Sequence, residues 1–225
     1  MIPVHDDNPI DITPLVTYGL IAACVLAFLW QLGLDEQAGQ LAVYRYGVVP
    51  AVLLGEAELP PGVAAVPPAL TVLSSMFLHG GFMHLAGNML YLWIFGNNIE
   101  NALGTTRYLI FYAACGLAAA LAQTFSAPAS TIPMIGASGA ISGVLGAYLL
   151  YYPHARVTVL IPLGIFLHTV RWPAGWVLGA WFALQVGSSL MSDPSQPGVA
   201  WLAHVGGFVA GLALAGALRA ARARA

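Results

Sequence analysis

The motif Gly136-Ala137-Ser138-Gly139 stands at the opening of a long uncharged apolar run. Two other apolar runs also carry polar side chains near their start: His84-Leu85-Ala86-Gly87-Asn88 in one and Ala203-His204-Val205-Gly206-Gly207 in the other. A hydroxyl, an imidazole and further hydrogen-bond donors are the groups that a serine hydrolase uses as nucleophile, base and oxyanion hole. Their occurrence in segments of membrane-spanning length predicts proteolysis inside a membrane.

The composition is typical of a membrane-embedded chain. Of the 225 residues, 59% are hydrophobic and 7% are charged, and the mean hydropathy is +0.81. A soluble domain carries about 25% charged residues, so a soluble fold is excluded. The net charge of −2, without a basic block, gives nucleic-acid binding no electrostatic support.

The cysteines and the paired histidines do not indicate a metal site. Cys24 and Cys115 both fall inside apolar runs and are predicted to be small core residues. His79 and His84 lack the carboxylate or cysteine neighbours that a zinc site would require. We therefore expect neither a metal nor a cofactor.

Six segments are long and apolar enough, or nearly so, to cross a membrane, which takes about 20 residues. They are Leu15–Leu34, Met76–Ile99, Tyr108–Phe125, Gly136–Tyr152, Pro173–Met191 and Val199–Leu218. Val157–Val170 is also apolar, but Arg156 and Arg171 bracket it at ~14 residues, a length typical of an interfacial or re-entrant piece. A seventh span is the alternative. The predicted fold is an all-α bundle of six transmembrane helices.

The positive charges set the orientation of this bundle. The chain has seven basic residues, all of them arginines. With the N-terminus inside, only Arg45 lies outside, and six arginines lie on the cytoplasmic side, as the positive-inside rule expects: Arg107, Arg156, Arg171, Arg219, Arg222 and Arg224. We predict a cytoplasmic tail at residues 1–14, a transmembrane domain at 15–218 and a basic cytoplasmic tail at 219–225.

The longest external connection, residues 35–70, is rich in proline and aliphatic residues. Such a loop is expected to associate with the membrane surface, with Tyr44 and Tyr46 in the interfacial layer. Residues 1–14 carry acidic residues but no Lys or Arg, unlike a secretory signal or an arginine-rich transit peptide. This favours a prokaryotic plasma membrane.

In this topology the polar motifs of the three spans lie at a similar depth in the membrane. Spans two, four and six run from outside to inside, and at a rise of ~1.5 Å per residue their polar residues lie in the outer half of the membrane. Ser138 needs a base to accept its proton, and His204 is the candidate. His84 and Asn88, at i and i+4, share a helix face and can donate to an oxyanion alongside the backbone N–H of Ser138. Since the nine acidic residues lie in termini and loops, we expect a dyad rather than a triad.

Small residues recur every four positions on spans four and six. Such stripes let helix backbones approach closely in lipid. The two spans are therefore predicted to pack closely enough for Ser138 to meet His204. The stripes consist of Gly139, Gly143 and Ala147 on span four and of Ala203, Gly207, Gly211 and Ala215 on span six.

At these residues, over about 71–211, the chain resembles the rhomboid family of intramembrane serine proteases. The family motifs are matched, in order, by His84-x3-Asn88, Gly136-x-Ser138-Gly139 and Ala203-His204-x2-Gly207. The resemblance implies a six-helix core with a water-filled cavity open to the extracytoplasmic face. It implies Ser138 as nucleophile and His204 as base, with His84 and Asn88 in the oxyanion hole. Substrates would be transmembrane segments of other proteins, cut near a small side chain.

The resemblance also implies a membrane-embedded hairpin in the first external loop, and a substrate gate formed by span five and the following cap, 192–198. The chain departs from the family in two places. Tyr44-Arg45-Tyr46 stands where many relatives carry a Trp-Arg pair, and Ser142 stands where many carry an aromatic residue that packs against the histidine.

Two other functions are compatible with an apolar chain that holds polar residues. A non-catalytic rhomboid-like protein would bind membrane clients, but such relatives usually lack the Ser or the His. A small channel or transporter would have polar residues through both membrane halves, whereas here they cluster in the outer half. The expected partners are transmembrane protein substrates and membrane lipid, without nucleic acid. The sequence does not set an oligomeric state.

Overall fold

The computed structural model describes residues 2–163, 166–193 and 198–224, and the fold is mostly helical. Two short irregular turns occur among the helices, a 3-10 turn at Ser75–Phe77 and a π-helical turn at Leu92–Gly96. The elements in chain order are β1 (Ile2–Asp6), α1 (Leu15–Leu32), α2 (Glu36–Tyr46), α3 (Pro50–Leu53), α4 (Pro68–Ser74), α5 (Phe82–Tyr91), α6 (Asn97–Leu103), α7 (Thr105–Ser126), α8 (Ser138–Tyr151), β2 (Arg156–Leu163), β3 (Phe166–Pro173), α9 (Ala174–Met191) and α10 (Trp201–Arg222).

Four of the described helices, α1, α7, α9 and α10, are long and apolar enough to cross a membrane. Two consecutive helical stretches, Pro68–Phe77 and Phe82–Leu103, make a fifth crossing if they are taken together. The chain is therefore a multi-pass membrane protein, as predicted. α8 has only 14 residues. That is about 21 Å of helix at ~1.5 Å per residue, so the sixth span stays a prediction.

The predicted span Met76–Ile99 is interrupted near its start. The helix begins only at Phe82, and it is bent by 85° from the preceding stretch. Gly80-Gly81 lies at the break, where glycine loses more conformational entropy in a helix than other residues do. The helix then continues past Ile99 to Leu103. Because it starts later than expected, its first turn contains His84.

α8 and α10 pack with their backbones in close contact. A Cβ added to Gly211 would lie 2.0 Å from the carbonyl oxygen of Gly143, and one added to Gly207 would lie 2.0 Å from that of Gly139. No side chain fits at either of these two glycines. The predicted approach of spans four and six through small residues is confirmed.

A three-stranded antiparallel sheet, in the order β1-β2-β3, accompanies the helices. Its last two strands contain most of 157–170, so the all-α prediction is wrong for this segment, as is the alternative of a seventh helical span. The reason is local, because consecutive β-branched residues favour a strand and their burial alternates along it. Val157 and Val159 are fully buried, and Thr158 between them is partly exposed. An interfacial position of the segment stays a prediction. β1 pairs with β2, which makes residues 2–6 of the predicted tail part of the fold.

Asp6 attaches this sheet to the helical core. Its carboxylate accepts hydrogen bonds from the hydroxyl of Tyr148 in α8, at 2.6 Å, and from the side-chain amide of Asn98 in α6, at 2.9 Å. Burial raises the pKa of the Asp6 carboxyl above its usual value. β1 is thus held by these side-chain hydrogen bonds as well as by its backbone hydrogen bonds to β2.

The first long loop contains two helices, α2 and α3. Arg45, near the end of α2, donates hydrogen bonds to the backbone carbonyls of Val63 (3.1 Å) and Gly62 (3.2 Å). In the absence of a Trp-Arg pair, this arginine therefore ties the two halves of the loop together. Association of the loop with the membrane stays a prediction.

Glu100 corrects the expectation that every acidic residue lies in a terminus or a loop. It lies in α6 and is fully buried. Its carboxylate accepts from the backbone N–H groups of Val16 (2.9 Å) and Thr17 (2.8 Å) and from the Thr17 hydroxyl (2.8 Å). The first turn of a helix leaves such N–H groups without partners and favours negative charge. Glu100 thus caps α1.

We expect Glu100→Gln to destabilise the protein by about 1–3 kcal/mol, because one amide N–H of the new side chain would face a buried donor at the start of α1. The fraction folded during titration with sodium dodecyl sulfate, followed by tryptophan fluorescence, measures this. The exposed Glu56 gives the matched control, Glu56→Gln, which should leave the transition unchanged. Equal stability of the two variants would refute the capping role.

Two glycine-to-alanine changes should differ in sign. Gly211→Ala puts a methyl group against the Gly143 carbonyl and should cost at least about 1–3 kcal/mol through overpacking. Gly19→Ala in α1 has open space around its new Cβ. It should be neutral or stabilising by up to about 1 kcal/mol, since alanine is the better helix former. The same detergent titration compares them, and a neutral Gly211→Ala would contradict the packing described.

Candidate active site

Ser138 is positioned by an extended segment that leads into α8. The backbones of Val48 and Met134 exchange two hydrogen bonds, at 3.0 and 2.7 Å, and the Gly136 N–H donates to the Ser75 carbonyl at 2.9 Å. Gly136 has a φ of +127°, which side-chain-bearing residues rarely adopt. Ser138 follows as the first residue of α8, whose N-terminus has no side-chain cap. The amides of this turn are thus free of the usual capping partner.

The Ser138 hydroxyl and the His204 imidazole are in hydrogen-bond contact. His204 Nε2 lies 2.8 Å from Ser138 Oγ, although 66 residues separate the two in the chain. Both side chains come from the first turn of their helix, where the glycines of α8 and α10 bring the backbones together. This is the distance at which a base can accept the proton of a hydroxyl nucleophile.

The start of α10 is fixed by α7. The side-chain carbonyl of Gln123, a buried residue of α7, accepts from the backbone N–H of Ala203 at 3.2 Å. The first turn of α10 has no side-chain cap of its own. The same N–H also donates to the Ala200 carbonyl at 3.1 Å, so Gln123 adds a second acceptor that links α7 to the start of α10, directly beside His204.

The other side of the His204 ring faces α9. Nδ1 of His204 lies 2.8 Å from the side-chain carbonyl oxygen of Gln185. Two indoles flank the ring, with centroid distances of 6.1 Å to Trp181 and 6.0 Å to Trp201. Gln185, Trp181 and Trp201 are thus the neighbours of the His204 ring on this side. The Ser142 hydroxyl donates to the Ser138 backbone carbonyl at 2.6 Å.

His84 lies across the cavity from His204, next to the Ser138 hydroxyl. The Gly80 N–H donates to His84 Nδ1 at 3.3 Å, which leaves the ring proton on Nε2. That nitrogen faces Gly136: a Cβ added to Gly136 would lie 2.8 Å from His84 Nε2 and 3.7 Å from Ser138 Oγ. The arrangement directs an N–H donor toward the space beside the hydroxyl.

Asn88 lies one turn after His84 and also lines the cavity. Its side chain is buried, and its amide nitrogen finds no acceptor among the described residues. An unpaired donor is costly inside a membrane protein. The amide is thus available to a ligand in the cavity, as an oxyanion-hole donor has to be.

His79 supports the segment before α5. Its ring meets that of His84 edge to face, with centroids 5.1 Å apart. The side chain of Gln31 in α1 accepts from the His79 backbone N–H at 3.0 Å and donates to its carbonyl at 3.1 Å. The break between α4 and α5 is therefore pinned to α1.

All four predicted site residues line one cavity of about 1290 Å³. Their side chains come from the first turns of α8 and α10 and from the first two turns of α5. The wall also includes Gln185, Trp181 and Asp193. No group of three or more His, Cys, Asp or Glu that could hold a metal ion occurs within 2–163, 166–193 and 198–224.

Gln185 was missed by the sequence analysis, although a signal was present. It is an amide side chain within an apolar span, one turn after Trp181, and polar residues inside spans commonly mark functional sites. The motifs drew attention to the starts of spans two, four and six, whereas Gln185 lies in the C-terminal half of α9.

Comparison with known proteins gives the family. Residues 68–221 match the Rhomboid domain. The chain is 32% identical over 136 residues to Rhomboid protein 1, mitochondrial, of Saccharomyces cerevisiae, which covers 54% of this chain and 39% of that protein. It is 30% identical over 148 residues to the human presenilin-associated rhomboid-like protein, mitochondrial, covering 63% of this chain and 36% of that protein.

A bacterial relative is similar over a shorter stretch. Rhomboid protease GluP of Bacillus subtilis is 42% identical over 78 residues, which covers 35% of this chain and 15% of that protein. The matches thus cover less than half the length of each of these relatives. The Rhomboid domain match extends over most of this chain, from residue 68 to residue 221 of 225, and includes Ser138, His204, His84 and Asn88. The chain belongs to the rhomboid family.

Proposed function

We propose that this chain is an intramembrane serine endopeptidase that cleaves transmembrane segments of other membrane proteins. The observation that carries the proposal is the 2.8 Å contact between Ser138 Oγ and His204 Nε2 in a cavity among membrane-spanning helices. One similar protein, GluP, is itself named a protease. No metal or cofactor enters the proposed reaction.

The proposed chemistry begins with the Ser138 hydroxyl. His204 Nε2 accepts the hydroxyl proton while Oγ bonds to the carbonyl carbon of the scissile peptide, whose π electrons move to oxygen. The resulting oxyanion is stabilised by the Ser138 backbone N–H, His84 Nε2–H and the Asn88 amide. The C–N bond then breaks as His204 returns the proton to the leaving amine. Water, deprotonated by His204, then adds to the carbonyl carbon of the acyl ester, and the C–Oγ bond breaks as His204 returns the proton to Ser138 Oγ.

The proposed substrate class follows from the position of the cavity. A transmembrane helix satisfies its backbone groups internally, so its peptide bonds become accessible only where the helix unwinds in a polar surrounding. The cavity offers such a surrounding through His84, Asn88 and the first amides of α8. Segments that contain glycine or proline unwind at least cost, which supports cleavage beside glycine, the residue with the smallest side chain. The substrate would reach the site from the lipid.

Entry past α9 and its following cap is part of the proposal. α9 forms one wall of the cavity through Trp181, Gln185 and Ser189. The predicted cap, 192–198, lies partly outside the described residues, which omit 194–197.

The proposed orientation has both termini in the cytoplasm and the cavity open to the opposite side of a prokaryotic plasma membrane. This orientation is supported by Arg219 and Arg222, which contact helix ends that lie far from the site. Arg219 donates to the Leu150 carbonyl near the end of α8, at 3.4 Å, and Arg222 donates to the Leu103 carbonyl at the end of α6, at 2.9 Å. The candidate site residues belong to the opposite ends of these helical segments.

Ser138→Ala and His204→Ala should each fold and abolish cleavage of a generic single-span substrate in reconstituted vesicles. Labelling by a fluorophosphonate should be lost in both, since the probe reacts with an activated serine. Ser188→Ala on α9 and His154→Ala after α8 are the matched controls. Neither residue lines the cavity, and both variants should cleave and label like the original chain.

Cleavage that persists in Ser138→Ala would remove Ser138 from the mechanism. A chain that never cleaves or labels, yet binds the substrate equally well with and without the Ser138 hydroxyl, would instead support the client-binding alternative.

Asn88→Ala should lower kcat by about 10²-fold or more while KM changes little, because the amide acts on charge that develops only in the transition state. Initial rates over a range of substrate densities in vesicles separate the two constants. Ile110→Ala, a change on the exposed face of α7, should leave both constants as they are. A purely elevated KM in Asn88→Ala would assign the residue to substrate binding instead.

A further inference from the structure

Two side chains of α9 make contact with His204. Trp181 and Gln185 lie one helical turn apart, which puts them on one face of the helix. Trp181 lies beside the imidazole ring, and Gln185 is within hydrogen-bond distance of Nδ1. Gln185 is only 7% exposed, so its amide does not depend on solvent for partners. α9, which carries neither Ser138 nor His204, therefore contributes a specific polar contact to the His204 ring.

The hydrogen-bond network fixes the orientation of the Gln185 amide. Its nitrogen donates to the Trp181 backbone carbonyl at 3.3 Å, and a carbonyl can only accept. The other amide atom, which faces His204, is therefore the oxygen. Because an amide oxygen can only accept, the ring nitrogen opposite it, Nδ1, has to carry a proton.

This assignment also determines the protonation of the second ring nitrogen, Nε2. In a neutral imidazole with its proton on Nδ1, Nε2 has a free lone pair. That nitrogen lies 2.8 Å from Ser138 Oγ, so the hydroxyl can donate to it. The opposite tautomer would direct an N–H at the hydroxyl and an unprotonated Nδ1 at the Gln185 oxygen, which places two acceptors against each other. A neutral amide thus selects the tautomer that can act as a base.

We propose that Gln185 is a positioning residue, which holds His204 in its Nδ1–H tautomer with Nε2 aimed at Ser138. The proposal rests on the proposed function, in which His204 is the base. Gln185 does not touch the reacting atoms: it acts through the imidazole. It also supplies the orientation that an aromatic residue at position 142 would otherwise provide, since Ser142 turns to the Ser138 carbonyl.

The first test is spectroscopic and needs no substrate. In protein labelled with ¹⁵N-histidine, the chemical shifts of the two ring nitrogens identify the tautomer, and His204→Ala assigns the signal. We expect the Nδ1–H form in the original chain. Gln185→Leu, which keeps the approximate volume but removes the acceptor, should lose this preference. Gln185→Glu keeps an oxygen acceptor and should retain the Nδ1–H form. Leu184→Ala, one residue away and facing outward, is the control for a general disturbance of α9.

The second test is kinetic. Gln185→Leu should lower kcat by about tenfold, the factor that corresponds to one neutral hydrogen bond, with KM changed by less than about twofold. Gln185→Glu should recover most of the lost rate. If Gln185→Leu does not fold, the rate and tautomer of Gln185→Glu against Gln185→Met, a flexible apolar replacement, give the same comparison.

An unchanged tautomer and kcat in Gln185→Leu would overturn this inference while leaving Ser138 and His204 as the proposed dyad. Loss of rate in Gln185→Leu with an unchanged tautomer would also overturn it, since the effect would then be structural. By contrast, cleavage by Ser138→Ala would defeat the proposed function, whereas the tautomer measurement on His204 would still stand by itself.

Discussion

The backbone contact between α8 and α10 determines where the Ser138 hydroxyl and the His204 imidazole lie. Lipid tails are as apolar as leucine, so helices in a bilayer are held together by packing and hydrogen bonds rather than by exclusion from water. At Gly143 and Gly211 that packing is backbone against backbone. A catalytic pair tolerates errors of only about 0.5 Å. At these two glycines no side chain separates the backbones, so the spacing of the helices there does not depend on a rotamer.

Polar side chains fix the other elements around this pair. Glu100 caps α1, Gln123 links α7 to the start of α10, Gln31 holds the break before α5, and Asp6 joins the sheet to α8. Each of these groups would be costly in lipid without a partner, and each has one. Four buried polar side-chain atoms of the described residues have no hydrogen-bond partner: His79 Nε2, the Asn88 amide nitrogen and the hydroxyls of Tyr108 and Thr124. Of these four, the Asn88 amide is the one whose residue lines the cavity, where a ligand could accept from it.

The parts of this structure that follow from composition and residue spacing were predictable, and those without a distinct composition or a repeated spacing were not. The apolar runs gave α1, α7, α9 and α10 within a few residues, and the small-residue spacing gave the α8–α10 contact that joins Ser138 to His204. Hydropathy could not reveal the break at Gly80-Gly81, because the residues around it remain apolar. The β2–β3 hairpin was hidden for the same reason: its strands are as apolar as a short membrane piece.

Glu100 and Gln185 illustrate a second limit. Both are polar residues whose roles depend on partners that lie 83 and 19 positions away in the chain, and no local pattern connects them. A polar residue in an apolar segment signals that a partner exists without identifying it. Only the packed helices show that Glu100 serves a helix terminus and that Gln185 serves the histidine.

The shortness of α8 has a consequence for hydration. With 14 residues, this helix falls about 9 Å short of a ~30 Å hydrocarbon layer. In the proposed six-span arrangement, this shortfall would place Ser138 below the bilayer surface, beside the cavity that it lines. The proposed hydrolysis consumes water as a reactant, and a short α8 would leave room for that water beside the serine.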